Sequence, residues 1–178
     1  IQVIAPTRQE MNLSDNKSIE AFCASIEGPI DIIVNNAGIN TIATLDELSE
    51  DKLDDMIQIN MKAPIRIVQC LKDKLTSNKI SHVVNVSSIW GFVSKEGRCG
   101  YASAKTGIIG TTRTMALELG RYNVLVNAIA PGFIDTEMTG ALSEKVQEQI
   151  LTQIPLGIFG RPEDIANCAA FLASDEAA

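Results

Sequence analysis

Tyr101 and Lys105 are the residues of this sequence whose types and spacing could carry out acid–base chemistry. They stand four residues apart, so on a helix both side chains would lie on one face. A lysine ammonium beside a phenol stabilises the phenolate and lowers the pKa of the tyrosine toward neutrality, which would make Tyr101 a general acid or base. Many exposed helices contain the same pair, so its chemistry depends on what surrounds it.

Polar and glycine-containing segments follow three apolar runs of strand length. They are residues 35–38 after the run 30–34, Ser87 and Ser88 after the run 80–86, and Pro131 and Gly132 after the run 124–130. Because ligands of a parallel α/β sheet bind beyond the carboxyl ends of its strands, these three exits predict a single cleft. Ser88 would lie in that cleft, where its hydroxyl could hydrogen-bond a substrate oxygen or simply serve a turn.

The elements that position these residues follow from apolar runs that alternate with helical periodicity. Asp15 predicts a helix start, and Thr44 and Ser49 predict the start of a helical stretch that continues to about Lys74 and is bent or restarted at Pro64. Further helices are predicted at 99–119, closed by Gly120, at 143–151 and at 162–172, with a further short strand at 1–5. The predicted fold class is α/β, a Rossmann-like doubly wound parallel sheet with helices on both faces, in a single domain spanning 1–178.

The composition of the 178 residues excludes several other classes of protein. Hydrophobic residues make up 46%, which is enough for a core, and no apolar run reaches the roughly 18 residues of a membrane helix. The formal net charge of −7 argues against nucleic acid as a partner. Four scattered cysteines and one histidine fit no usual zinc pattern, and free thiols indicate a reducing compartment, so we expect a cytoplasmic protein without a metal.

Five features together resemble the short-chain dehydrogenase/reductase family, and within it the branch that includes the 3-oxoacyl-(acyl-carrier-protein) reductases. They are residues 35–38, Asn60, Ser88, the run Tyr-Ala-Ser-Ala-Lys at 101–105, and Pro131-Gly132 followed by Thr136. They occur in the family's order and with matching spacings over nearly the whole chain. The resemblance implies an oxidoreductase that interconverts a ketone and a secondary alcohol with a nicotinamide cofactor.

The resemblance also implies a role for each candidate catalytic residue. Tyr101 would give its proton to the carbonyl oxygen during reduction, and Ser88 would orient that oxygen. Lys105 would hold the nicotinamide ribose and depress the pKa of Tyr101. Asn60 would hold a water that leads protons to Lys105, although an asparagine inside a helix also often kinks it or faces solvent.

Cofactor contacts are carried over in the same way. The implied cofactor-binding residues, besides Tyr101 and Lys105, are Thr7, Arg8, Asn12, Leu13, Asn36, Ala37, Gly38, Pro131, Gly132, Ile134 and Thr136. The family more often has Asp at the position of Asn12. Thr7 and Arg8 stand where an NAD site usually has a carboxylate, and a guanidinium suits a 2′-phosphate, so NADP(H) is the expected cofactor and NAD(H) the alternative. Nearby Glu10 opposes that charge, and Arg8 could equally be a surface residue.

Substrate and partners are expectations from the resemblance. Trp90, with Ser88 and Tyr101, would line the substrate pocket, or it could be a packing residue. The first substrate expectation is a 3-oxoacyl group on an acyl carrier protein, for which Arg98, Arg113 and Arg121 are candidates for a basic docking surface. A sugar or polyol dehydrogenase is the alternative within the family, and a non-catalytic binding or assembly protein is the alternative of another class. The family implies a homodimer or homotetramer.

The sequence departs from the family in what it lacks. No Gly-x-x-x-Gly-x-Gly turn follows a strand, although the family's first strand and glycine turn hold the pyrophosphate at a helix N-terminus. A first βα unit of roughly 25 to 30 residues would precede Ile1, and a last strand would follow residue 178. The resemblance therefore implies a sheet incomplete at both ends, and we expect these residues to belong to a longer chain. Because the glycine turn that would hold the pyrophosphate is missing from the 178 residues, their activity on their own is in doubt.

Overall fold

A parallel β-sheet forms the centre of the structure, a computed structural model that describes residues 2–76 and 80–177. Its strands are β1 (Ile32–Asn35), β2 (Ser81–Val86) and β3 (Val124–Ile129), in the order β1-β2-β3. Ile33, Val83 and Val126 stand side by side in the register, so one row of apolar side chains crosses the sheet. All three predicted strand exits therefore open at the same edge.

Seven α-helices accompany the sheet within the described residues. They are α1 (Asn16–Ser25), α2 (Glu50–Ile57), α3 (Ala63–Leu75), α4 (Cys99–Leu119), α5 (Glu137–Gly140), α6 (Glu144–Leu151) and α7 (Pro162–Leu172). The sequence predicted the bounds of α4 and α7 correctly, and Asp15 caps α1 by accepting a hydrogen bond from the Lys17 N–H at 2.9 Å. Over this part of the chain, no helix combines the length and apolar character needed to cross a bilayer.

The core lies on the sheet face that carries Ile33, Val83 and Val126. Helices α3 and α4 cover this face and α1 packs against α3, while α7 contacts β2 and β3 on the opposite face. On that opposite face Ile32 and Val34 remain 40% and 47% exposed, because successive side chains of a strand point to opposite faces. The parallel sheet with helices on both faces confirms the predicted fold class.

The predicted strand at 1–5 is wrong for the described residues, and Ile1 lies outside them. Residues 2–5 form no ladder, and Val3 is 79% exposed. The β-branched composition predicted a strand, but a strand also needs a neighbour for its N–H and C=O groups. None of the three strands described pairs with this segment, so residues 2–5 form no strand.

The predicted bend in the second helical stretch is real but begins before Pro64. A π-helical turn, Gln58–Lys62, separates α2 from α3, and Pro64 lies in the first turn of α3. Such turns insert an extra residue into a helix and are frequent at functional sites. Thr44 begins a turn rather than a helix. Its hydroxyl donates a hydrogen bond to the Glu47 carboxylate, with 2.9 Å between the two oxygen atoms.

Candidate active site

A cavity of about 240 Å³ opens at the carboxyl ends of the three strands. The predicted site residues that line it are Asn36, Gly38, Ser88, Trp90, Tyr101, Lys105, Pro131, Gly132, Ile134 and Thr136. They come from the loops after β1, β2 and β3 and from the start of α4. The single cleft that the strand exits predicted is therefore present, and the candidate catalytic residues after β2 share it.

Tyr101 lies in the first turn of α4, next to Ser88 and Arg98. Burial raises the pKa of the Tyr101 phenol, while a hydrogen bond with the Ser88 side chain and the Arg98 charge act in the opposite direction. The Lys105 ammonium nitrogen lies 5.7 Å from the centroid of the Tyr101 ring. The predicted lowering of the Tyr101 pKa is not met in this state, because desolvation outweighs the neighbouring charges. Tyr101 therefore keeps its proton at neutral pH.

Lys105 is buried and is hydrogen-bonded to the end of β2. Its Nζ donates to the Val86 carbonyl at 2.7 Å, and its own carbonyl accepts from the Ser87 hydroxyl at 2.8 Å. Burial lowers the pKa of Lys105 from 10.5 to about 8. The two hydrogen bonds fix the first turns of α4 to the strand exit that carries Ser88.

Asn60 positions the loop that follows β1. Its Oδ1 accepts from the Ile39 N–H at 2.9 Å, and its Nδ2 donates to the Ile39 carbonyl at 2.8 Å. A Cβ on Gly38 would lie 2.8 Å from Asn60 Oδ1 and 3.5 Å from Lys105 Nζ, so this position has little room for a side chain. The π-helical turn thus places a buried amide where it holds the loop backbone against Lys105.

A chain of buried side-chain hydrogen bonds supports the site from below. Asn35 Nδ2 donates to Asn85 Oδ1 at 2.8 Å, and Asn85 Nδ2 donates to Thr112 Oγ1 at 2.9 Å. Thr112 Oγ1 donates in turn to the Ile108 carbonyl at 2.7 Å. The chain joins β1, β2 and α4 through groups that would be costly to leave unpaired. Sequence reasoning missed Asn85 and Thr112: the strand register places Asn85 beside Asn35, and the packing of α4 on β2 brings Thr112 to Asn85.

Five of the predicted cofactor residues do not line the cavity: Thr7, Arg8, Asn12, Leu13 and Ala37. Both Thr7 donors, the backbone N–H and the hydroxyl, are taken by the Glu10 carboxylate at 2.7 and 2.8 Å. Arg8 is exposed. Their ligand contacts, like those of the residues inside the cavity, stay predictions.

The predicted basic cluster of Arg98, Arg113 and Arg121 is wrong. Arg98 precedes the 21-residue helix α4 and Arg121 follows it, so at 1.5 Å per residue they are about 30 Å apart. Arg98 is instead buried, lines the cavity, and lies over the Trp90 ring with 5.6 Å between its guanidinium carbon and the ring centroid. Its place one helical turn before Tyr101 was the signal that could have found it.

Apolar side chains form part of the cavity wall. Trp90 meets Phe133 edge to face, with ring centroids 6.1 Å apart, and Phe133 contacts Phe159 at 6.4 Å. Ile42 and Leu142 complete this wall, and sequence reasoning had singled out neither. Trp90 therefore lines the cavity and also packs against Phe133.

Comparison with known proteins is consistent with this geometry. Residues 4–178 match a family model described as enoyl-(acyl carrier protein) reductase. The chain is 41% identical to the 3-oxoacyl-(acyl-carrier-protein) reductase FabG of Thermotoga maritima over 169 residues, which are 93% of this chain and 69% of that protein. It is 40% identical to FabG of Staphylococcus aureus strain Mu50 over 171 residues, 94% of this chain and 70% of that protein.

A solved structure matches the backbone as well. The crystal structure of a protein from Sinorhizobium meliloti 1021, described as a short-chain alcohol dehydrogenase, superimposes with a TM-score of 0.87 at 30% identity, and the match covers 94% of this chain and 68% of that one. The family match, the relatives and the superposition all indicate the same family. The chain belongs to the short-chain dehydrogenase/reductase family of oxidoreductases.

Proposed function

We propose that this protein is an NADP(H)-dependent reductase that interconverts a ketone and a secondary alcohol, with Tyr101 as the proton donor and acceptor. The observation that carries the proposal is the convergence of Ser88, Tyr101 and Lys105 on one cavity. The carrier-linked 3-oxoacyl group is the first substrate candidate, because the FabG relatives are named for that reaction.

Each catalytic side chain has one task in the reduction. Ser88 holds the substrate carbonyl oxygen beside the Tyr101 hydroxyl. The Tyr101 O–H bond breaks as the proton passes to that oxygen, which becomes the hydroxyl of the product. Lys105 stabilises the phenolate that remains, and we assign the return of a proton from solvent to Lys105 and a water beside Asn60. When bound, NADPH supplies the hydride for the carbonyl carbon.

The residues at the cavity fit a nicotinamide dinucleotide. A Cβ on Gly132 would meet no atom within 4 Å, so the backbone there borders open space that a flat ring can enter. Lys105 Nζ uses one N–H on Val86, which leaves donors for ribose hydroxyls. Gly132 with Pro131, Ile134 and Thr136 would hold the nicotinamide amide, Tyr101 and Lys105 its ribose, Asn36, Ala37 and Gly38 the adenine ribose, and Asn12 and Leu13 the adenine.

Preference for NADP(H) over NAD(H) rests on Arg8. An exposed guanidinium is free to form paired hydrogen bonds with a 2′-phosphate. The Glu10 carboxylate works against this preference, because it occupies both Thr7 donors and carries the same sign of charge as the phosphate. Arg8 and Glu10 therefore set the preference in opposite directions.

The cavity wall favours an apolar substrate body over a polyol. The cavity is lined in part by the carbon surface of Ile42, Trp90, Phe133 and Leu142. An acyl chain would cover this surface, whereas a sugar would bury hydroxyls against it without hydrogen-bond partners. A panel of 3-oxo thioesters, cyclic ketones and ketoses would separate the two classes. Preferred turnover of a ketose would favour the polyol dehydrogenase.

We also propose a homodimer or homotetramer in the cytoplasm. Helix α4 carries Leu117, which is 86% exposed in the single chain and would be covered if the α4 helices of two copies packed together. Light scattering of the purified protein tests the assembly, and cell fractionation tests the compartment. A monomer at micromolar concentration would contradict the first proposal.

Tyr101→Phe tests the proposed reaction. Removing the hydroxyl should lower kcat for reduction by about 10²- to 10⁴-fold, while NADPH still binds. Tyr122→Phe is the matched control, because Tyr122 is the chain's other tyrosine and lies past the end of α4 against Arg121. NADPH oxidation and cofactor fluorescence are the two measurements. Undiminished turnover in Tyr101→Phe would contradict the mechanism, and cofactor binding by the wild type without turnover of any ketone would favour a non-catalytic protein.

A further inference from the structure

Arg98 is a buried cation without a partner in the cavity. Only 8% of its surface is exposed, and its Nε is buried with no hydrogen-bond acceptor. No carboxylate of residues 2–76 or 80–177 forms an ion pair with it. Buried charges in proteins are normally paired, so an unpaired guanidinium is an exception that needs a reason.

The position of Arg98 increases the free-energy cost of burying its charge. It is the N-cap residue of the 21-residue helix α4, and the N-terminal end of a helix carries partial positive charge, which disfavours a cation. Burial also lowers the Arg98 pKa, in the direction of losing the charge. The Trp90 ring offsets part of this cost by a cation–π contact with the guanidinium.

The rest of the cavity lacks what Arg98 needs. None of the described residues that line it is acidic, and its other cation is Lys105. Three buried side-chain atoms in the described part of the chain have no hydrogen-bond partner, namely Asn40 Oδ1, His82 Nδ1 and Arg98 Nε. Two of those three belong to residues that line this cavity. Unsatisfied polar atoms thus concentrate where a ligand would sit, and the missing complement to Arg98 is an anion.

We propose that Arg98 binds the carboxylate of the substrate, so that this enzyme prefers ketones that carry a free carboxylate group. The inference rests on the proposed ketone reduction at Tyr101. A guanidinium forms two parallel hydrogen bonds with a carboxylate, and Arg98 is a guanidinium that lines the cavity beside Trp90. Because Arg98 precedes Tyr101 by one helical turn, the carboxylate lies within a few carbon atoms of the ketone. A carrier-linked thioester, the first candidate by the relatives' names, is neutral at that position and lacks this contact, so on this inference a free 3-oxo acid takes precedence over the thioester as substrate.

Substrate pairs test the inference by a ratio. 3-Oxobutanoate and its methyl ester differ little except in charge, and kcat/KM for NADPH-dependent reduction is measured for both. The wild type should prefer the acid, and Arg98→Gln should lower the acid-to-ester ratio by about 10- to 100-fold. Arg98→Lys should recover part of the ratio, because it keeps the charge and loses the paired geometry. Any effect of Arg98 on Tyr101 itself acts on both substrates and cancels in the ratio.

Lys95→Gln is the matched control. Lys95 also lies over the Trp90 ring, with its Nζ 5.7 Å from the centroid, but it is exposed and does not line the cavity. Its substitution should leave the acid-to-ester ratio unchanged. An equal fall of the ratio in both variants would mean a general effect of positive charge near Trp90 and would overturn the assignment to Arg98.

Binding without turnover gives an independent measurement. Trp90 is the chain's only tryptophan, so its fluorescence reports on ligands at Arg98 directly. Titration with butanoate should give a saturable change in wild type and Lys95→Gln, and none in Arg98→Gln or with butanamide. The same response in Arg98→Gln as in wild type would refute the inference. If no ketone is reduced but butanoate binding still depends on Arg98, the proposed function fails while the anion site stands.

Discussion

Asn60 holds both backbone polar groups of Ile39 with the two ends of one side-chain amide. The Ile39 N–H donates to Oδ1 and the Ile39 carbonyl accepts from Nδ2, and the amide is only 2% exposed. A π-helical turn and the loop after β1 are thereby fixed to each other across 21 residues of sequence. Asn60 belongs to the architecture of the site as well as to any proton path.

Asn60→Asp should test this double contact with almost no change in volume. The carboxylate keeps the acceptor for the Ile39 N–H but loses the donor for the Ile39 carbonyl, so the free energy of unfolding should fall by about 1 to 3 kcal/mol. Denaturant unfolding measures the change. Asn16→Asp at the exposed start of α1 is the control, since an acidic residue there suits the helix dipole and should be neutral or slightly stabilising. Equal stability of the two variants would contradict the contact.

Gly91→Ala should damage the junction between the loop after β2 and α4. A Cβ there would lie 2.8 Å from the Lys105 carbonyl oxygen and 2.9 Å from Ser87 Oγ, and the backbone oxygen cannot move aside cheaply. We expect a loss of about 1 to 3 kcal/mol in unfolding free energy and a fall in turnover. Gly110→Ala, on an open face of α4, should instead stabilise by up to about 1 kcal/mol. Thermal unfolding of both variants checks the opposite signs.

Lys105→Met should change the pH dependence of stability. An exposed lysine titrates near 10.5, while burial lowers the pKa of Lys105 to about 8, so the unfolded chain binds more protons between these values. The penalty of burying the charge is complete below pH 8 and disappears as the pH rises toward 10.5. The variant lacks this penalty, so its unfolding free energy relative to wild type should decline by about 2 to 3 kcal/mol from pH 7 to 10. A difference that stays constant with pH would contradict a buried ammonium.

Arg8→Gln and Glu10→Gln should shift cofactor preference in opposite directions. Without Arg8, the ratio of kcat/KM for NADPH over NADH should fall by about tenfold, because a charged hydrogen bond to the 2′-phosphate is lost. Glu10→Gln keeps an acceptor oxygen for the Thr7 donors but removes the negative charge that repels the 2′-phosphate, so the ratio should rise. Steady-state kinetics with both cofactors gives the ratios. If Arg8→Gln leaves the ratio unchanged, the 2′-phosphate is recognised elsewhere or not at all.

Local signals carried the prediction of helices and strand exits. Pro162 at the first turn and the acidic residues after it predict the start of α7, and Gly120 predicts the end of α4, as the structure has them. The segment at 1–5 failed because its residues have strand propensity but, in the described structure, no partner. Propensity is a property of the segment itself, whereas a ladder is a property of two segments.

Contacts between distant segments account for what the sequence could not supply. Arg98 looked like a surface residue, and its burial depends on Trp90 and on the loop near Ala43, whose N–H donates to the Gly97 carbonyl at 3.1 Å. Asn85 and Thr112 likewise meet only when β2 lies under α4. Such pairings follow from the assembled fold and leave no mark in the spacing of residues.

The distribution of charge around the cavity separates capture of a ligand from its retention. Arg98 and Lys105 face a lining with no described acidic residue, within a chain whose formal net charge is −7. At low ionic strength an anion is therefore repelled at long range by the net charge and attracted only near the cavity mouth, whereas at physiological ionic strength charges beyond about 8 Å are screened. Added salt should raise the rate of encounter and shorten the residence time, so association and dissociation both accelerate.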